Sequence, residues 1–172
     1  LTKGTMNVPH ASPNSLRRRP LGRTRLQVSE LGLGAACLGN LYQPISDADA
    51  QETLGSAFAA DISYVDCAPY YGFGLCEQRV GEALRGRDNI VVSTKVGRLL
   101  EPAPEVSDDR ERFGFRSAMP LTPVFDYSYD GVMKSWQASL QRLGLLRVDI
   151  LYVHDIGQVT HGALHEERLL QL

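Results

Sequence analysis

Four polar residues in this 172-residue chain have the types and spacing that proton transfer needs: Asp66, Tyr71, Lys95 and His154. A neutral phenol with a pKa of about 10 is a poor acid at neutral pH. A cation at ~4 Å contributes about 4 kcal/mol at an effective dielectric of 20, or up to ~3 pK units before desolvation is set against it. Lys95 could therefore bring Tyr71 into range for general acid–base catalysis. Asp66 would hold Lys95 charged and in place, and His154 could donate to a carbonyl oxygen and orient it. The implied chemistry is carbonyl reduction, or alcohol oxidation in reverse, and it requires a hydride carrier because no side chain supplies hydride. Taken singly, each residue has an ordinary explanation: a loop ligand or helix cap, a packing ring, a solvated cation, a structural histidine. The chemical reading rests on the four together.

These residues fall where an α/β alternation puts strand ends. Leu26–Gly34 alternates and closes on glycines, which predicts a strand. Ser46 then reads as an N-cap, with Asp47 and Asp49 suited to the first helical turn, and Ala50, Leu54, Ala57 and Phe58 follow at helical spacing. Ile62–Cys67 predicts a second strand ending near Asp66, and Leu75–Arg85 a second helix with Cys76, Val80, Ala83 and Leu84 on one side. Ile90–Val96 predicts a third strand ending near Lys95, and Val148–His154 a fourth. Between those two, a helix over about 130–143 carries a stripe of Val132, Met133, Trp136, Leu140 and Leu143 and stops at Gly144. Residues 97–128 read as one long loop rich in Pro, Arg and Asp. Strands separated by amphipathic helices imply parallel pairing, and in such sheets chemistry gathers at the carboxyl ends of the strands.

Composition narrows the class. Apolar residues make up 43% of the chain, as in a globular protein, and no apolar run approaches the ~18–20 residues of a membrane span. The net charge of −2 points to no polyanionic partner, so neither nucleic acid nor a membrane is expected. That charge is uneven: Lys3, Arg17, Arg18, Arg19, Arg23 and Arg25 meet no acid before residue 26, leaving 12 bases against 20 acids beyond. Residues 1–18 are read as a disordered basic arm, with a targeting remnant or a nucleic-acid contact as alternatives. Cys37, Cys67 and Cys76 form no CxxC and stand at no metal-ligand spacing with a His. A reduced, cytoplasmic protein without a metal follows, with Cys67 as core filler.

The stretches YVDCAPYYGFGLCEQRVGEAL, VVSTKVGRLL and VDILYVHD resemble the Asp, Tyr, Lys and His segments of the aldo-keto reductases. RPLGRTRLQVSELGLGAACLG resembles that family's opening, a hairpin at the bottom of the barrel. The resemblance covers about residues 19–160, and APYYGFGLCEQRVG, the long segment after strand three and DYSYDGVMKS point to the family's branch of aldose and pyridoxal dehydrogenases. It implies Tyr71 as acid/base, Lys95 and Asp66 as the pair that tunes it, and His154 as the residue orienting the substrate. It further implies a nicotinamide cofactor, NADP or NAD, near Gly34, Ala35, Ala36 and Asp66, where many members carry a larger aromatic than this Gly-Ala-Ala. The substrate implied is a small carbonyl compound or aldose.

A complete eight-unit barrel takes about 250 residues. The expected fold is therefore the amino-terminal half of a (β/α)8 TIM barrel with an N-terminal hairpin, residues 19–172 supplying four units of a truncated domain. Such a fragment would leave two open strand edges and would be inactive alone, since in the family the later loops hold most of the dinucleotide. Two other readings stand beside this one. A noncatalytic, aldo-keto-reductase-like binding or regulatory subunit would keep the fold without the chemistry. A standalone doubly wound nucleotide-binding domain would use Gly32, Gly34 and Gly39 as its fingerprint and Asp66 as its ribose acid. Against the latter, the acid lies 34 residues past Gly32, where ~20 is usual.

Overall fold

The computed structural model describes residues 16–106 and 109–172. A hairpin of β1 (Arg18–Pro20) and β2 (Gln27–Ser29) precedes a parallel sheet of four strands. Those strands are β3 (Leu33–Gly34), β4 (Tyr64–Asp66), β5 (Val91–Val96) and β8 (Ile150–Val153), adjacent in that order. Connections run through helices α1 (Asp47–Ala59), α2 (Leu75–Ala83) and α3 (Tyr129–Leu143). After β8 come two short helices, α4 (Gln158–His161) and α5 (His165–Leu169). The strand order follows the chain without reversal, so the crevice of a doubly wound domain does not form among the described residues. The arrangement is the opening half of a β/α barrel, as expected.

Local chemistry sets the helix ends. Ser46 caps α1 by accepting from the Asp49 amide, with Asp47 and Asp49 in the positive first turn. Ser128 does the same for α3 through the Gly131 amide, and Gly144 closes that helix at φ +64.

Between helices and sheet lies the main core of Leu54, Phe58, Val65, Val80, Leu84, Val92 and Leu143. Period-two alternation assigns the remaining strand residues: Val65, Val92 and Thr94 face the helices, leaving Tyr64, Asp66, Ser93 and Lys95 on the opposite, inner face. β3 and β8 are the sheet's edge strands, and β8 leaves Leu151, Tyr152 and Val153 exposed. Among the described residues no helix is long and apolar enough to cross a membrane.

The sequence expectations are corrected in four places. The end of the arm expected over 1–18 belongs to the fold: Arg18 pairs with Ser29 in the hairpin, and Arg17 and Arg19 both reach Glu30. Residues 1–15 of the expected basic arm lie outside the described residues. The single strand over 26–34 is two, because Ser29 and Ser63 exchange side-chain-to-amide hydrogen bonds that pin the end of β2, and the chain then turns into β3. The long loop over 97–128 contains an antiparallel ribbon, β6 (Arg98–Pro102) with β7 (Leu121–Phe125), five residues in register. Arg112 closes this ribbon by donating to the carbonyls of Leu121, Ala118 and Met119.

The fourth correction concerns α3. Val132, Met133, Trp136 and Leu140 are only half-buried; the buried line is Gly131, Ser135, Ser139 and Leu143. Small residues let α3 approach closely enough for the Ser135 hydroxyl to reach the Arg98 carbonyl. A Cβ on Gly81 of α2 would overlap the Leu143 carbonyl.

A buried ion pair joins α2, α3 and β5. Glu77 is fully buried, accepts from the Thr94 hydroxyl at 2.7 Å and meets Arg142 Nε at 2.5 Å. Removing one partner of such a pair strands the other charge, at a cost of about 3–5 kcal/mol. Arg142→Met is expected to lose about that much stability in urea unfolding. Equal stability of variant and parent would show that Glu77 is held by Thr94 alone.

Candidate active site

The inner face of the sheet and the loops after its strands bring all four sequence-predicted residues together. Asp66 lies beside Ser93 in register, and Lys95 stands two residues further along β5, so the two charges meet diagonally on one face. Lys95 Nζ donates to Asp66 Oδ2 at 2.6 Å and to the Cys67 carbonyl at 2.9 Å. Its side chain is 13% exposed. Burial alone would push the ammonium down; hydrogen bonding with Asp66 and Tyr71 outweighs it and holds Lys95 above its ordinary pKa. The ammonium also lies 4.6 Å from the Tyr71 ring centroid.

Tyr71 has side-chain neighbours in Lys95, Phe115 and His154, and its backbone sets the position from which it meets them. It opens a tight turn in which Gly72 and Phe73 both take left-handed conformations, φ +65 and +54. Phe73 accepts this strain while fully buried against Phe115 and Ala118. Gly72 packs backbone to backbone on Gly39, where a Cβ on either residue would overlap the other segment. The Tyr71 turn is thereby pressed onto the loop that follows β3.

His154 completes the group at the end of β8. Its amide donates to the Val96 carbonyl at 2.9 Å, and its ring stands edge-on to Tyr71 and Tyr70, both at 5.8 Å. Nδ1 is buried without a hydrogen-bond partner among the described residues. Burial pushes His154 down to about 4; Asp155 opposes this, while Arg98 and Lys95 reinforce it. The imidazole is thus neutral at physiological pH.

Sequence reasoning missed several contributors. Ser93 donates to Asp66 Oδ1 at 2.6 Å and is hydrogen-bonded to Tyr64, so it holds the carboxylate from the side opposite Lys95. Its signal was available: Ser93 precedes Lys95 by two, the spacing of one sheet face. Tyr64 is pushed up to about 12, chiefly by burial, and remains a neutral phenol. Arg79 carried no readable signal. It bonds Leu38 O, Asn40 Oδ1, Ile45 O and Asp47 at once, tying the loop after β3 to α2.

Of the segment Gly34–Ala36, Gly34 lies beside Asp66 in register, and the Ala35 amide donates to the Asp66 carbonyl. Ala35 itself is buried in the core, so only Gly34 and Ala36 offer surface. A Cβ on Gly34 would meet nothing within 4 Å. Cys67 and Cys76 are buried thiols held well above their ordinary pKa by burial, which suits packing rather than nucleophilic attack.

Residues 30–170 match the sequence model of the aldo/keto reductase family. The chain belongs to the aldo/keto reductase family. A pyridoxal 4-dehydrogenase from Microbacterium luteolum is 48% identical over 159 residues, covering 87% of this chain and 46% of its own. A D-threo-aldose 1-dehydrogenase from a Pseudomonas species is 43% identical over 137 residues, covering 76% and 41%. Among solved structures, an aldo-keto reductase from Bacillus halodurans in its holo form superposes with a TM-score of 0.61 at 30% identity, over 79% of this chain and 39% of that one. The chain spans about half the length of the curated relatives it matches. Four parallel strands and three connecting helices of that family's fold lie among the described residues.

The neutral imidazole has a measurable consequence. The unfolded state takes up a proton at His154 near pH 6.5, whereas the folded state refuses it until about pH 4. Stability attributable to this residue is full above about pH 6.5 and declines as the pH falls toward 4, by at most about 3 kcal/mol. Urea midpoints measured between pH 7.5 and 4.5 should fall less in His154→Gln than in the parent. Parallel curves would contradict the assignment.

Proposed function

We propose that the protein carrying this chain is an NAD(P)-dependent oxidoreductase that interconverts a carbonyl (aldehyde or lactone) with an alcohol or hemiacetal, on a sugar-like or pyridoxal-like substrate. The observation that carries this reading is Lys95, held between Asp66 and Tyr71 with His154 edge-on beside them. A structural lysine would be expected to extend into solvent rather than to stand desolvated against a phenol.

In the reducing direction the Tyr71 hydroxyl donates its proton to the carbonyl oxygen as the carbon is reduced. The charged Lys95 stabilises the phenolate left behind. Asp66 keeps Lys95 protonated, and Ser93 keeps Asp66 oriented. Neutral His154 supplies a hydrogen bond that orients the same oxygen. In the oxidising direction Tyr71 receives the proton from the alcohol or hemiacetal hydroxyl. A bound nicotinamide supplies or accepts the hydride. Gly34 and Ala36 are the residues of this chain that would lie against it: the open space over Gly34, beside Asp66, suits a flat ring.

The relatives 48% and 43% identical to this chain act, by their names, on pyridoxal and on D-threo-aldoses, which supports the substrate class. A noncatalytic binding subunit is the weaker reading, because burying the Lys95 ammonium beside a phenol gives up solvation that a link between two strands does not require.

Two experiments test the proposal. In the full reading frame, turnover is followed by nicotinamide absorbance with aldoses and pyridoxal. Tyr71→Phe should lower kcat by 10²-fold or more, the order of a lost general acid, with cofactor Kd little changed; unaltered kcat would refute the role of Tyr71. In the second, the 172-residue chain is titrated with NADP⁺ and NAD⁺ by calorimetry. Weak or undetectable binding is expected, and tight stoichiometric binding would contradict the assignment of most dinucleotide contacts to residues outside this chain.

A further inference from the structure

A second ion pair lies beside His154, and the proton-transfer scheme makes no use of it. Arg98 opens β6, only 8% exposed, and its guanidinium meets Asp155 Oδ2 at 2.5 Å. The same guanidinium lies over the Tyr70 ring at 3.9 Å and the Phe125 ring at 4.5 Å. It is therefore held on two faces by aromatics and at one end by a carboxylate. Asp155 takes a left-handed backbone conformation, φ +52. Such a conformation in a non-glycine residue persists only where its surroundings over-determine it. Here it leaves Oδ2 3.7 Å from His154 Nε2.

An unpaired carboxylate at that distance favours imidazolium over imidazole. The charged and titratable groups facing His154 come from every surrounding element. Asp66 comes from β4, Lys95 from β5, Arg98 from β6 and Asp155 from the chain just after β8, with the Tyr70 and Tyr71 rings edge-on. Tyr127, just after β7, donates to the His154 carbonyl and is hydrogen-bonded to His161 of α4. Asp66 and Asp155 favour charging the imidazole; Lys95 and Arg98 oppose it. Each carboxylate is closed by one of those cations, so the ring sits between two compensated pairs.

We propose that Arg98 is a positioning residue that helps burial keep His154 uncharged, by pinning and neutralising the Asp155 carboxylate beside the imidazole. The inference deepens the reading of His154 as a neutral hydrogen-bond donor to the reacting oxygen, and it rests on that reading for its catalytic meaning. An imidazolium in this position would be a stronger acid than Tyr71 and would set a second positive charge near Lys95. Burial disfavours both, and Arg98 adds to that by offsetting Asp155. It acts from the ribbon-bearing segment that follows β5, linking that segment to the site.

The test reads His154 directly. Imidazole NMR signals of the 172-residue chain, with His154 assigned by its loss in His154→Gln, are followed against pH across the range in which each variant is folded. Arg98→Met should raise the His154 midpoint by about one unit or more. Arg98→Lys, which keeps the charge, should restore most of the difference. The double variant Arg98→Met with Asp155→Asn should return toward the parent value, since it removes both charges. Were Arg98→Met to lose its fold, Asp155→Asn alone at its more exposed position should hold the midpoint below the parent's. A folded Arg98→Met with an unchanged midpoint, or an Asp155→Asn midpoint at or above the parent's, would overturn the proposal. These readings involve no turnover, so they separate from the Tyr71 experiment: an active Tyr71→Phe enzyme would sink the catalytic reading without moving the His154 titration.

Discussion

Lys95 has to remain charged in a place that disfavours charge, and the surrounding architecture follows from that constraint. Removing an ammonium from water costs several kcal/mol unless hydrogen bonds and an opposite charge replace the lost solvent. Asp66 and the Cys67 carbonyl provide that replacement, at 2.6 and 2.9 Å. They can do so only if β4 and β5 are parallel and in the observed register. A slip of one residue would send Lys95 to the helix-facing side, where Thr94 now meets Glu77. The buried Glu77–Arg142 pair, which ties α2 and α3 to β5, therefore secures the register on which the inner-face pair depends.

The second demand is that Tyr71 reach Lys95 from outside the sheet. Two glycines help by letting the Tyr71 turn and the loop after β3 touch backbone to backbone, and packing of the Tyr71 ring on Phe115 adds to it. Arg79 then fixes the same loop to α2 through three oxygen acceptors besides Asp47. Rigid elements thus supply the acid pair, and a strained, tightly packed turn supplies the phenol. Backbone strain of this kind persists only where the surrounding packing over-determines it, as Gly39 and Phe115 do here.

Arginines recur as organisers of the irregular parts. Arg79 holds the first loop, Arg112 closes the ribbon, Arg142 bridges two helices, and Arg98 couples the ribbon to the end of β8. The planar fork with several donors suits segments that have many carbonyls and no regular partner for them. Periodicity offers no sign of such roles, because the partners are irregular carbonyls for Arg79 and Arg112 and carboxylates far along the chain for Arg98 and Arg142.

Much of this was legible in the sequence. A capping serine marked the start of α1 and a glycine the end of α3; apolar runs marked the positions of β4, β5 and β8; strand ends marked Asp66, Lys95 and His154. These features arise from local propensity and period, which a single segment carries within itself. Other features were misread for an equally physical reason. The ribbon of β6 and β7 pairs two short strands across a stretch whose Pro, Arg and Asp content reads as loop. The working face of α3 is its line of small residues, since closeness to β5 and β6 outweighs apolar area there. By itself the sequence determined the kinds of element, their order and the four polar residues at their ends. Only tertiary structure decided that Lys95 sits desolvated between Asp66 and Tyr71, that Ser93 braces Asp66 and that Arg98 and Asp155 flank His154. Those facts depend on register, approach distance and burial, which exist only once separate segments are packed against one another.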